Sequence, residues 1–173
     1  MNHRWPRTVF ASVVFLLAVF FTAGCGGKDS GEKAAEKMAE KILERSSGEK
    51  ADVDYDRGKL TVKTKDYETE SVETAEWPND LPGVPRFAYG KVERVSRSEN
   101  KADGARSYSV WLHDVDSDAA AKYEADLEKA GWETMLVEMG DQGAMVSGQR
   151  EGLLVHFMHS KEEKSGNLTV TAE

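Results

Sequence analysis

Acid–base or metal chemistry in this chain would have to run through His113, His156 and His159, the only imidazoles beyond His3 near the N-terminus. His156 and His159 stand three apart in "LLVHFMHS", which reads as a strand, and that offset sends their rings to opposite faces. No pair of thiolates is available to complete a zinc site, because the chain holds a single cysteine. For nucleophilic catalysis, Ser147 is followed by Gly148, but Met145 occupies the position where a G-x-S-x-G elbow needs its first glycine. The stretch "DVDSD", Asp114 to Asp118, repeats carboxylates at the first, third and fifth positions of a calcium-binding loop. Ala119 then stands where that loop turns on glycine, and Ala125 where it needs a bidentate glutamate, so helix capping accounts for these acids better. No glycine-rich phosphate loop occurs. The expectation from these residues is a domain with no cofactor and no metal.

The one cysteine, Cys25, sits in "FFTAGCGGKDSGEK", where an apolar run gives way to a polar, glycine-rich stretch. Ahead of it Arg4 and Arg7 lie without any acid, and the apolar run of residues 9–21 is too short for the ~20 residues that span a bilayer. Basic segment, apolar segment, then small residues Thr22, Ala23 and Gly24 is the order of an export signal. An exported chain with one thiol can close no internal disulfide, so Cys25 needs another use. The segment "TAGC" resembles the lipobox of bacterial lipoproteins: Ala23, Gly24 and Cys25 match it, while Thr22 stands where a branched apolar residue is usual. The resemblance covers residues 1–25. It implies a diacylglyceryl group on the Cys25 thiol and cleavage of the signal peptide, residues 1–24, so that the protein holds to a lipid bilayer through acyl chains. At ~0.8 kcal/mol per buried methylene, two or three chains anchor a protein durably. Gly26 in place of Asp after the lipidated cysteine implies an outer-membrane destination where the cell has one, with the domain facing the periplasm or the exterior.

Losing residues 1–24 removes Arg4 and Arg7 and moves the formal net charge from −8 to −10. Such acidity disfavours nucleic acid, whose binding relies on cationic side chains displacing counterions. It favours a cationic or neutral envelope protein as partner.

Stepping along the mature chain, residues 25–31 read as the lipidated cysteine and a flexible tether. In residues 32–45, Ala35, Met38, Ala39, Ile42 and Leu43 recur at helical spacing, which predicts an amphipathic helix packed on its own domain. "ADVDYDRGKLTVKTKD" alternates on both sides of an Arg57–Gly58 turn and predicts a β-hairpin, so that residues 32–66 form a helix plus hairpin. Acidic residues 67–76 show no clear period and read as a connection. The next stretch, "WPNDLPGVPRF", gathers Pro78, Pro82 and Pro85, and each biases the residue before it toward extended geometry. Its Trp77, Leu81, Val84 and Phe87 suit either a binding strip or, more simply, an arm whose apolar side chains are buried across the domain. Residues 67–86 are therefore an acidic linker and proline-rich arm. From residue 87 to 173 the pattern predicts two strands, a helix capped by Asp116 and stopped by Gly131, then four strands: an α+β domain of order ββαββββ, an antiparallel sheet with one helix on a face.

The succession of helix, "ADVDYDRGKLTVKT" hairpin, "WPNDLPGVPRF" arm and "GW" after a helix is similar to a group of uncharacterised bacterial envelope lipoproteins. That resemblance implies the class and supplies no catalytic residue. The function expected is a non-catalytic binding, adaptor or inhibitor domain held at a membrane by lipid. The alternative is a small envelope hydrolase or ligand-binding enzyme in which His113, His156 or His159 meets distant carboxylates, and the two readings part on whether the fold brings the histidines together.

Overall fold

The computed structural model describes residues 28–81 and 83–172. The expectations for the signal peptide and for Cys25 fall outside these residues. Within them, two helices and nine strands form an α+β fold around one antiparallel sheet, with strand order β1-β2-β3-β4-β5-β9-β8-β7-β6. The strands are β1 Asp52–Asp56, β2 Lys59–Lys63, β3 Tyr67–Glu73, β4 Lys91–Asn100, β5 Arg106–His113, β6 Glu133–Glu138, β7 Gly143–Arg150, β8 Leu153–Ser160 and β9 Ser165–Ala172. Helix α1 spans Lys28–Ser47 and α2 spans Ala119–Lys129.

Three local expectations need correction. The acidic stretch after residue 67 is not a connection: Tyr67–Glu73 is strand β3, paired with β2 on one side and β4 on the other. Its acids defeat a single-segment reading because their counterions lie on the neighbouring strand, where Lys59 reaches Glu70 at 2.7 Å and Lys63 reaches Glu68 at 3.1 Å. Lys28 to Gly31 belong to α1, which shortens the tether. Helix α2 takes Asp118 as N-cap rather than Asp116, and the Asp118 carboxylate caps nothing, pairing with Lys122 at 2.8 Å one turn on.

Strand period two splits the apolar residues between faces. On one face Val110, Val146, Val155, Phe157, Leu168 and Val170 are essentially inaccessible beneath Ala119, Ala120, Tyr123 and Leu127 of α2. Gly131, at φ +84°, ends that helix and turns Trp132 back into the core, its indole donating to the Gly83 carbonyl at 3.3 Å. The proline-rich segment completes the lid. Leu81, Val84 and Phe87 are buried, the Phe87 ring lies 5.1 Å from Tyr123 and 4.7 Å from Phe157, and the Tyr123 hydroxyl donates to the Pro85 carbonyl. A smaller cluster joins Ala39 and Leu43 of α1 to Ala51, Val53 and Val62 at the opposite end of the sheet.

Candidate functional site

The three histidines are dispersed. His113 ends β5 in solvent, its Nδ1 3.4 Å from an Asp114 carboxylate that also accepts from Lys91 Nζ at 2.8 Å. That lysine holds the Asp114 carboxyl below its ordinary range. His156 and His159 face opposite sides of β8, as their spacing requires. His156 is exposed, with Nδ1 3.0 Å from Ser147 Oγ across the β7–β8 ladder. This serine–imidazole pair lies on a strand surface, and among the described residues no carboxylate bonds the other ring nitrogen in the way a catalytic triad orients its base. His159 is buried on the core face, stacked on Phe157, and neither of its ring nitrogens has a hydrogen-bond partner among the described residues.

Of the arm residues, Leu81, Val84 and Phe87 are occupied in the core, and Trp77 packs partly buried against it. They act as a structural clamp and offer no strip to a ligand. Beyond the arm, a cleft of about 630 Å³ is lined by Glu68, Asp80, Arg97 and Arg106 among others. Its charges mostly answer one another: Arg97 makes two 2.9 Å bonds to Asp80, holding that carboxyl low, and Arg106 meets Glu99 at 3.2 Å.

The surface with unspent binding capacity lies on the face opposite α2. There Met135, Ser147, His156 and Thr169 form one cross-strand row, and Val137, Met145, Met158 and Asn167 form the next. Met135 is 57% exposed, Val137 40% and Met158 58%, and Met139 just beyond β6 is exposed as well. Exposed apolar side chains scattered singly are ordinary, whereas several adjoining on a rigid sheet mark a contact surface. Thioether side chains suit it further, because three rotatable bonds and a polarisable sulfur let methionine adapt to a partner's shape. Ser147, Thr169 and Asn167 border the patch, the Ser147 hydroxyl paired with His156 and the Thr169 hydroxyl donating to the Asn167 side-chain carbonyl at 3.1 Å. The sequence carried a signal for this patch: "TMLV" and "LLVHFM" put apolar residues at both parities of a strand, more than one buried face can absorb. No family model, no curated protein and no solved structure matches the chain.

Proposed function

We propose that this chain is a bacterial envelope lipoprotein, processed at Cys25 and anchored by acyl chains, whose domain is a non-catalytic binding module for a cationic or neutral envelope protein. In this reading residues 87–173 form a ββαββββ unit, and the preceding helix and hairpin extend its sheet toward the anchor. The observation that carries the binding role is the cluster of Met135, Val137 and Met158, exposed together on the sheet face opposite the main core. The acidic net charge of the mature chain supplies long-range attraction to a cationic partner, and the methionines supply the short-range contact. By the family rule at Gly26, the destination is the outer membrane where one exists.

Two measurements test the two halves. Intact mass of the exported protein should show an acylated chain starting at residue 25, and Cys25→Ala should abolish it; an unmodified, freely soluble product overturns the anchor. A photo-crosslinker at position 158 in intact cells should capture a specific protein, less at high salt, and Met135→Glu should cut that capture at least several-fold. Capture unaffected by the substitution removes the patch from the function.

A further inference from the structure

The two edges of the sheet are treated differently. At β1, the backbone N–H groups that point away from β2 are occupied: Tyr55 donates to the Glu36 carboxylate at 3.0 Å and Val53 to Glu40 at 3.4 Å, so α1 seals this edge. Strand β6 is the opposite edge, roughly 40 Å away at ordinary strand spacing. Among the described residues no hydrogen bond is made by its outward backbone groups. It contains no proline, lysine or bulge of the kind that blunts an edge, and it pairs with β7 without a register shift from Glu133 to Glu138.

Which groups point outward follows from the turn. The Met139 N–H bonds to the Gly143 carbonyl, so the odd positions of β6 face β7, and Thr134, Leu136 and Glu138 present their N–H and C=O to solvent. We infer that this edge pairs antiparallel with the same edge of a second copy of the chain, about a two-fold axis normal to the sheet and midway between the two Leu136 residues. Only residues of outward parity can exchange bonds, and a register centred on Leu136 sets Leu136 opposite Leu136 and Thr134 opposite Glu138, giving about six backbone hydrogen bonds. No glutamate then opposes a glutamate. Met135 falls opposite Val137 of the second copy on the patch face, so the exposed apolar rows of the two copies join across the seam. One register that both keeps the glutamates from opposing each other and sets Met135 against Val137 is what favours a second copy over a foreign strand. An edge of this length buries an area at the low end for specific complexes, where weak and transient contacts fall.

The experiment uses the whole chain extracted in detergent. Sedimentation should show a monomer–dimer equilibrium, and the double substitution Met135→Lys with Val137→Lys should weaken it at least tenfold by opposing lysines in the seam. Because a charged double variant can misfold, its secondary structure is checked by circular dichroism. Single cysteines placed in turn at positions 133 to 138, read against the parent carrying Cys25 alone, give an independent readout: on oxidation Leu136→Cys should crosslink to itself most efficiently. A chain that stays monomeric to several hundred micromolar overturns the proposal, as does a dimer whose crosslinking peaks elsewhere or which survives the lysines. A monomer whose β6 cysteines crosslink to another protein also overturns it and assigns the edge to a foreign strand. Because Met135 belongs to both surfaces, the captured protein's identity separates the two readings: a second copy captured at position 158 speaks only for the seam, and a different protein only for the patch.

Discussion

His159 is the residue whose environment is hardest to reconcile with stability alone. Its ring is 1% exposed, and both nitrogens lack a partner, a cost of about 1–3 kcal/mol for a buried polar group. Burial, with Lys161 nearby, pushes its pKa below the usual 6.5. Below that value the unfolded chain takes up a proton that the native state refuses, so stability is complete above about pH 6.5 and falls as pH drops toward the folded pKa. His159→Leu, similar in volume, should therefore stabilise the domain by about 1–2 kcal/mol at neutral pH and more at pH 5.5; urea unfolding at both pH values measures this, and an equal or lower midpoint at pH 5.5 refutes it. Gly143 is constrained in another way. It sits at φ +143°, and a Cβ there would overlap the His159 carbonyl, so Gly143→Ala should cost on the order of 2–3 kcal/mol in the same assay. That His156 and His159 separate to opposite faces was readable from their spacing. That His156 meets Ser147 follows from the β7–β8 register, and that His159 is buried without a polar partner follows from α2 covering its face.

Among the elements, α1 does more than pack. Ala39 and Leu43 are buried, yet Met38 and Ile42 of the same apolar stripe stay 69% and 49% exposed, so only half of the stripe recognised in the sequence touches the domain. The docking is completed by Glu36 and Glu40, which in sequence look like members of a solvated polar face and in the fold accept the edge amides of β1. Replacing both with alanine should accelerate hydrogen exchange at the Val53 and Tyr55 amides selectively and cost about 1–2 kcal/mol of local stability; unchanged exchange there would show that the edge does not depend on these carboxylates. Strand β3 illustrates the same limit from the other direction. Its glutamates hide the strand in the sequence, and the lysines of β2 that neutralise them become visible only once the register aligns the pair. The arm's extended course was legible, because three prolines enforce it, whereas burial of its apolar residues was one of two readings the sequence allowed.

For the whole molecule, one sheet carries two apolar clusters of unequal size, and the one under α1 is much the smaller. Opening free energy scales with buried contacts, so amides of β1 and β2 should exchange through a lower-energy opening than those of β8 and β9, by roughly 2 kcal/mol or more. Native-state exchange against urea measures the gap, and identical opening energies at the two ends would mean the clusters unfold as one. Sequence by itself determined the local terms: the α+β composition, the hairpin at Arg57–Gly58, the Gly131 stop and the opposed histidines, each set by residues a few positions apart. Tertiary structure alone decided that the hairpin and the C-terminal strands share a sheet through β3, that Leu81, Val84 and Phe87 of the arm are consumed in the core, and that the surplus apolar residues of β6 to β8 gather into one exposed patch. The reason is that register, counterions and the covered face come from partners distant in the chain, and no single segment encodes which of its two faces a helix will cover.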